Sequence, residues 1–246
     1  EYGAARDILK NKGRIHVTGA VDSEKVHLIQ GLTYDVPVRV IATYSDLRAK
    51  EIADDLKALS RNVFIFPAKD LIFYQADIHG NKLTLDRIRA LRRLLSGQPV
   101  TLVTTFDALM TPMPPKSVFE NNILDIGKDS IIEEKAIAAK LTAMGYERNY
   151  QVEKPGEFSI RGGIIDVFDM TEENPYRIEL WGEDIESIRS FDIESQRSLE
   201  NLSAIRVFPA SEMVLSKADI NKGLERIKKE AAGQMESLRS AFRTEE

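Results

Sequence analysis

Residues 156–168 read GEFSIRGGIIDVF, and this stretch decides the fold of the middle of the chain. Apolar and polar residues alternate on both sides of the Gly162-Gly163 pair, as they do in strands that bury one face. Two consecutive glycines between such runs are typical of a tight turn. The stretch therefore predicts an antiparallel β-hairpin.

Two further runs, residues 176–181 and 185–191, are joined by a short turn and extend the hairpin into an antiparallel meander. Ahead of the hairpin, Ser130 with Glu133 three residues later forms a capping-box pattern, which predicts that a helix starts at residue 130. Gly145 supplies the expected end of that helix. The middle of the chain is therefore predicted to be an α+β module.

The strands of this module place their polar residues on one side. Alternate side chains face opposite sides of a sheet, so Arg161 lies on the side opposite to the apolar Phe158 and Ile160. By the same parity Arg177 and Trp181 take the polar side of the third strand. Trp181 is the only Trp in the chain, and an exposed Trp beside Arg is typical of a protein-binding hot spot. The alternative is that Trp181 packs under a loop at the rim of the module.

Charge divides the chain into three segments. The prolines within residues 112–115 break secondary structure, so we place a domain boundary near residue 115. Residues 1–115 carry 16 positive and 13 negative charges, residues 116–209 carry 11 and 19, and residues 210–246 carry 7 and 7. The middle segment holds the acidic excess, which favours a protein partner over a nucleic acid.

The first segment alternates between predicted strands and helices. Four short apolar runs predict buried parallel strands: residues 14–18, 38–42, 63–67 and 100–104. Helical spacing predicts one helix that is capped by Ser45 and ends at residue 60, and a second over residues 84–95. This alternation is typical of a parallel α/β layer.

Arginines cluster on the second of these helices. Arg89, Arg92 and Arg93 face away from its apolar side, and Arg87 lies nearer the edge of that side. The cluster is either a phosphate-contacting patch or, as we favour, the solvated side of an amphipathic helix.

The loop after the first predicted strand has the outline of a phosphate-binding loop, with two positions changed. Gly19 and Lys25 have the spacing of the G-x-x-x-x-G-K-[S/T] pattern, but Glu24 replaces the second glycine and Val26 replaces the magnesium-binding hydroxyl. A carboxylate at this position repels phosphate oxygens, and a valine cannot bind hydrated Mg²⁺. We therefore expect no nucleotide hydrolysis here. The loop is a decayed phosphate loop or a chance similarity.

The last segment predicts one amphipathic helix, because apolar residues recur at helical spacing from Ile220 to Phe242. This helix either meets a partner helix or returns to pack on the first domain.

Composition excludes several classes of protein. The chain has no Cys and only three His (His16, His27 and His79), which removes disulfide and Cys/His zinc sites and leaves carboxylate-bound metals. No apolar run reaches the roughly 18 residues of a membrane span, and residues 1–14 lack the apolar core of a signal peptide. We therefore expect a cytoplasmic protein without a membrane partner. The formal net charge of −5 argues against a dedicated duplex-DNA binder.

The middle segment resembles a known family. Five runs are similar, in order, to the UvrB-homology module of the bacterial transcription-repair coupling factor (Mfd) family: residues 156–168, 175–182, 185–192, 195–198 and 208–210. Residues 104–109 (TTFDAL) are also similar to this family. UvrB resembles the chain as well, but it has an intact phosphate loop and a long DNA-gripping hairpin, for which residues 74–83 are too short.

The resemblance implies a fold. The first domain would be a degenerate P-loop domain of the RecA-like or helicase-like type with a parallel sheet, interrupted by an inserted α+β antiparallel module as in UvrB. Residues 1–115 would be the first half of that domain, residues 116–209 the UvrA-binding module, and residues 210–246 a truncated returning helical segment. In that arrangement the last helix packs on the first domain.

The resemblance also implies a function. Family members are ATP-dependent DNA translocases that remove RNA polymerase stalled at lesions and recruit UvrA for nucleotide-excision repair. This part of the family lacks ATPase activity, so we expect no catalytic residue, metal or cofactor in the chain. ATP, Mg²⁺, RNA polymerase and duplex DNA would bind other domains, and the C-terminal domain of the full-length protein would mask the UvrA-binding face.

By motif, the resemblance places UvrA contacts on Arg161, Arg177 and Trp181, with Glu179 as a further contact. Trp181 stands where some family members have Phe. We expect Ala at Arg161, Arg177 or Trp181 to weaken UvrA binding without unfolding the module. The alternatives are a UvrB-type ATP-dependent damage-recognition protein and a non-specific nucleic-acid-binding domain that uses the arginine helix.

Overall fold

The computed structural model of the chain describes residues 2–69, 77–214 and 217–243. The chain forms two compact units. The first unit is Glu1–Ile123 with Asp169–Glu173, and the second is Leu124–Phe168 with Asn174–Glu246. The predicted boundaries near residues 115 and 209, and the assignment of the last segment to the first domain, stay predictions.

The first unit alternates helices and strands around a parallel sheet. Its described elements are α1 (Tyr2–Lys10), α2 (Asp22–Thr33), β1 (Val38–Thr43), α3 (Asp46–Leu59), β2 (Val63–Phe66), α4 (Asp77–Leu95), β3 (Val100–Thr105), α5 (Phe106–Met110) and α6 (Lys116–Glu120). The strands are parallel in the order β1-β3-β2, and every residue of the central strand β3 is buried. Three of the four predicted strands and both predicted helices are confirmed, and α4 begins earlier than predicted.

The predicted strand at residues 14–18 is wrong, because residues 13–18 have no regular secondary structure. Ile15 and Val17 instead line a cavity of about 1030 Å³ beside β1. Among the described residues no strand pairs with the outer edge of β1. An apolar run is a strand only where its backbone polar groups pair with those of a neighbouring strand, and residues 14–18 lie beside β1 without such pairing.

Helix α3 packs on this sheet and starts where the sequence predicts. The hydroxyl of Ser45 accepts a hydrogen bond from the backbone N–H of Arg48 at 3.3 Å, which caps the helix. Leu47, in the first turn of this helix, is exposed. The buried side is formed by Ala49, Ile52, Ala53 and Leu56.

The second unit is built on an antiparallel meander. Its described elements are β4 (Leu124–Gly127), α7 (Glu134–Ala143), β5 (Glu147–Arg148), β6 (Glu157–Arg161), β7 (Ile164–Val167), β8 (Tyr176–Trp181), β9 (Asp184–Phe191), β10 (Ser198–Asn201), β11 (Ala204–Val207) and α8 (Lys217–Arg243). Six strands form one sheet in the order β10-β9-β8-β7-β6-β5, in which only the β5–β6 pair is parallel, and β4 pairs with β11. The predicted hairpin and meander are confirmed.

One face of the six-stranded sheet is an apolar core. The register aligns Ile160, Ile165, Ile178 and Ile188 across four neighbouring strands. The last three of these residues are at most 1% exposed. The strand parity predicted from the sequence is therefore confirmed, and it leaves the opposite face to the polar side chains.

The helix predicted from residue 130 begins later, at Glu134. Ser130 does not cap it, because its hydroxyl accepts a hydrogen bond from the backbone N–H three residues earlier at 3.0 Å and closes a turn. The backbone N–H of Ile132 donates to the carbonyl of Glu183 at 2.9 Å, which ties the following residues to the sheet. Gly145, with a φ of +91°, ends the helix as predicted.

Helix α8 is 27 residues long, and the predicted amphipathic helix is confirmed. Its apolar stripe is solvent-exposed at Ile220, Leu224, Ile227, Met235 and Leu238. Across the described residues, none of the helices combines the length and the hydropathy needed to cross a bilayer.

Candidate docking site

The strand register brings the predicted site residues to one face of the six-stranded sheet. Arg161 pairs with Ile164, which pairs with Glu179 on the next strand. Directly paired residues point to the same side of a sheet. We call the side opposite the apolar core the polar face and define it by Arg161, Asp166, Arg177, Glu179, Trp181 and Arg189.

The centre of the polar face is an ion pair between the largely covered Arg177 and the buried Asp166. The Nε and Nη2 atoms of Arg177 donate to the two carboxylate oxygens of Asp166 at 2.7 and 2.9 Å, and Nη2 also donates to Gln196 Oε1 at 2.9 Å. The guanidinium lies 4.2 Å from the ring centroid of Phe191. The side chains of Arg177 and Asp166 are 16% and 1% exposed. The hydrogen bond to Asp166 raises the pKa of Arg177, although burial lowers it.

We therefore expect Arg177→Ala to lower the stability of the module as well as to change the polar face, and the earlier expectation that the module stays folded remains a prediction. Without this guanidinium, the buried carboxylate of Asp166 would keep only the longer contact to Arg161. Leaving a buried charge without its main partner is strongly destabilising. Strand parity predicts the side on which Arg177 lies, but it does not predict how deeply the side chain is covered.

Arg161 is the more accessible of the two arginines. Its side chain is 35% exposed, and its Nη2 atom donates to Asp166 Oδ2 at 3.3 Å. The guanidinium carbon lies 5.2 Å from the ring centroid of Tyr150. The guanidinium is therefore held between a carboxylate and an aromatic ring while a third of the side chain faces solvent.

Asp166 and Tyr150 are not predicted from the sequence, although they fix the geometry of Arg161. For Asp166 a signal exists, because the two-residue Gly162-Gly163 turn places it on the same parity as Arg161. Tyr150 is 83% exposed and follows β5, and no pattern in the sequence connects it to Arg161.

Trp181 is 80% exposed at the end of β8, so it does not pack under a loop. Glu179 is less available, because its carboxylate accepts a hydrogen bond from Ser187 Oγ at 2.8 Å and forms an ion pair with Arg189. Of the four predicted contact residues, Trp181 and Arg161 are thus more open to a partner than Arg177 and Glu179.

The loop before α2 is fixed by a hydrogen bond to the first turn of that helix. Gly19 has a φ of +81°, and the carboxylate of Glu24 accepts a hydrogen bond from the backbone N–H of Val21 at 3.3 Å. This carboxylate caps the helix N-terminus, which is where a nucleotide phosphate would bind. Val26 is buried in the core, whereas Lys25 lines the cavity beside β1. Within the described part of the chain, no group of three or more His, Asp or Glu residues could hold a metal ion.

The arginines of α4 are largely engaged inside the first unit. Arg92 forms ion pairs with Glu172 and with Asp169, at 2.7 and 3.4 Å. Arg93 donates to side-chain and main-chain oxygens of neighbouring residues. Arg87 is buried rather than at an edge, and Arg89 is the one of the four that is exposed. The cluster therefore offers little free positive charge.

The fold and the polar face define a mixed α/β protein whose antiparallel module presents aromatic and charged side chains on one face. Residues 124–213 match the family model of the UvrB interaction domain. The chain is 34% identical over 204 residues to the transcription-repair-coupling factor of Bacillus subtilis (strain 168), covering 81% of this chain and 17% of that relative. It is 30% identical over 215 residues to the transcription-repair-coupling factor of Staphylococcus aureus (strain USA300), covering 86% of this chain and 18% of that relative.

By sequence, residues 124–213 thus belong to the UvrB interaction domain family, and the chain is homologous to a segment of transcription-repair-coupling factors. The chain spans 17% to 18% of the length of these curated relatives.

Proposed function

We propose that the second unit binds UvrA, and that the chain is part of a transcription-repair coupling factor that recruits UvrA to RNA polymerase stalled at a DNA lesion. The observation that carries this proposal is the match of residues 124–213 to the UvrB interaction domain family, because the whole polar face lies within these residues. The names of the relatives support the role in coupling transcription to repair.

On the polar face we assign direct contact to Trp181 and Arg161. A large exposed indole has much apolar surface to bury, and an exposed guanidinium can form charge-assisted hydrogen bonds with a partner. We assign a positioning role to Arg177, which holds Asp166 and, through it, Arg161. Glu179 would contribute through the part of its side chain that Ser187 and Arg189 leave exposed.

The roles of the whole protein are proposed from the resemblance, since the chain spans less than a fifth of its relatives. They are an ATP-dependent DNA translocase activity with ATP and Mg²⁺ in motor domains, contacts with RNA polymerase and duplex DNA, and a C-terminal domain that masks the polar face. We propose that the first unit is a non-catalytic scaffold with a degenerate phosphate loop, because Glu24 caps the helix N-terminus that a phosphate would need.

A titration of the chain with UvrA tests this proposal. We expect Trp181→Ala and Arg161→Ala each to weaken binding by about 2 kcal/mol, which is typical of hot spots. Tyr44→Ala is the matched control, because Tyr44 is equally exposed, at 80%, but lies in the first unit. Unchanged affinity in both polar-face variants, with wild-type circular dichroism, would refute the assignment.

The geometry favours neither alternative function. A UvrB-type enzyme needs a phosphate site, and a nucleic-acid-binding domain needs free arginines on α4, where Arg92 is paired with Glu172. An ATPase assay with added DNA separates the proposal from the UvrB-type enzyme, because UvrB would also bind UvrA.

A further inference from the structure

A row of three side chains crosses the polar face next to the turn between β8 and β9. Trp181 pairs directly with Asp184 across this turn, and Ile131 forms a single antiparallel bridge with Asp184 on its other side. Because directly paired residues share a face, the three side chains lie side by side in the order Trp181, Asp184, Ile131.

All three side chains of this row are open to solvent. Trp181 is 80% exposed, Ile131 is 74% exposed, and Asp184 is also exposed. Asp184 makes no ion pair or side-chain hydrogen bond with any described residue. It differs in this from Asp166 and Glu179, whose carboxylates are taken up by arginines of the same face.

Hydrogen bonds hold the backbone under this row. The N–H of Ile132 donates to the carbonyl of Glu183 at 2.9 Å, and the N–H of Leu180 donates to the carbonyl of Gly163 at 2.7 Å. The N–H of Gly163 in turn donates to the carboxylate of Glu134 at 3.0 Å. A partner therefore meets a surface whose backbone is already ordered, which lowers the entropic cost of binding.

We propose that this row binds an arginine side chain of the partner protein, and we call the three residues the arginine seat. The inference rests on the proposed function, because it names the chemistry that the docking partner presents to the polar face. The planar guanidinium would pair with the carboxylate of Asp184 and stack on the indole of Trp181, while its methylene groups would lie against Ile131.

Other partner side chains fit this seat less well. An apolar side chain would cover Asp184 without pairing it, and burying an unpaired carboxylate is costly. An acidic side chain would meet a like charge, in a segment where residues 116–209 carry 19 negative and 11 positive charges. A lysine would pair with Asp184, but its ammonium lacks the planar surface that stacks on an indole.

The single Trp of the chain makes the seat directly observable. In protein labelled with ¹⁵N-tryptophan, the one indole N–H signal in the NMR spectrum reports on Trp181. We expect acetyl-arginine amide to shift this signal saturably at millimolar concentration, and the uncharged acetyl-citrulline amide to leave it almost unmoved. Asp184→Asn is expected to weaken the arginine titration about fivefold, the upper range for an exposed ion pair.

Glu183→Gln is the matched control, because it removes the same charge from the adjacent turn position outside the row. It is expected to leave the arginine titration unchanged. Ile131→Ser provides a second variant of the row, and the amide spectrum of each variant verifies its fold.

The same variants are then titrated with UvrA. We expect Asp184→Asn to weaken binding about tenfold and to flatten its dependence on salt, and Glu183→Gln to do neither. If the wild type binds UvrA but Asp184→Asn and Glu183→Gln behave alike in both titrations, the proposed arginine binding is wrong, while the proposed docking of UvrA stands. If the wild type does not bind UvrA, the proposed function fails. The titration with acetyl-arginine amide then still tests, independently, whether the arginine seat binds arginine. An indole signal that moves equally with arginine and citrulline amides also overturns the seat.

Discussion

The parallel sheet of the first unit and the antiparallel sheet of the second unit differ in where they keep their polar side chains. In the parallel sheet, β3 buries threonines, and the hydroxyl of Thr104 donates to the carbonyl of Phe66 at 2.7 Å. In the antiparallel sheet, arginines and carboxylates are concentrated on one face. Open parallel sheets usually carry ligands at the carboxyl ends of their strands. Here the charged chemistry lies on the other sheet, so the location of side chains guides the functional proposal better than the fold type.

The largest effect expected from this difference is the loss of Arg177. Arg177→Ala should lower the free energy of unfolding of the second unit by about 3 kcal/mol, because it removes the main partner of a buried carboxylate. Arg161→Ala is the control and should cost less than about 1 kcal/mol, since its side chain is 35% exposed. Urea unfolding measures both. Equal losses would show that the depth of the ion pair does not matter.

A second prediction concerns Glu157, whose side chain is also buried in this sheet. Its carboxylate accepts hydrogen bonds from the backbone N–H groups of Glu153 and Lys154, at 2.8 and 3.1 Å, and from the side chain of Asn149 at 2.7 Å. Glu157→Ala should therefore cost about 2 kcal/mol in unfolding free energy and speed amide exchange at residues 153 and 154.

Ser159→Ala is the control for Glu157. The hydroxyl of Ser159 is buried without a hydrogen-bond partner among the described residues, so its removal should be close to neutral. A loss in Ser159→Ala as large as in Glu157→Ala would mean that the stability of this strand does not come from its charged groups.

A third prediction concerns the carboxylate of Glu24 in the first unit. Glu24→Ala removes the carboxylate that caps α2 and should cost about 1 kcal/mol in unfolding free energy. We expect neither the wild type nor this variant to bind ATP at micromolar concentration in calorimetry, because buried Val26 supplies no ligand for Mg²⁺. ATP binding by the wild type would place nucleotide chemistry in the parallel sheet after all.

The smallest expected effect is a pH dependence between β4 and β11. The hydrogen bond from Arg206 lowers the pKa of Asp125 below its ordinary value of 3.8. A lowered folded-state pKa stabilises the fold above the unfolded-state pKa, and this contribution is lost as the pH falls through the folded-state value. Arg206→Gln should therefore reduce stability slightly at pH 7 and flatten its decline below pH 4 in acid-unfolding curves. Parallel curves for the wild type and the variant would contradict this.

Local patterns in the sequence predict much of the fold. The alternation around Gly162-Gly163 predicts the hairpin and the side of each strand, because both depend on neighbouring residues alone. Two predictions are wrong: the strand at residues 14–18 and the helix start at Ser130. Both structures depend on hydrogen bonds to residues that are distant in the sequence. Residues 14–18 do not pair with the neighbouring edge strand β1, and the backbone after Ser130 bonds to the β8–β9 turn instead of starting a helix.

The sequence likewise predicts only part of the candidate site. Parity predicts that Arg161, Arg177 and Trp181 share a side, and the register confirms it. The sequence does not predict that Arg177 is largely covered while Trp181 is exposed, because coverage depends on packing from residues such as Phe191 and Gln196. Their proposed contacts with UvrA stay predictions.

Because Arg161 and Arg177 share the carboxylate of Asp166, charge is distributed unevenly across the polar face. One carboxylate accepts hydrogen bonds from both Arg161 and Arg177, so this group of three charges has a surplus of one positive charge on the β6 side. Asp184 on β9 has no ion-pair partner among the residues that the structure describes, so the β9 side is negative. A partner with complementary charges therefore has one preferred rotation about the normal of the sheet, because a half turn would bring like charges together.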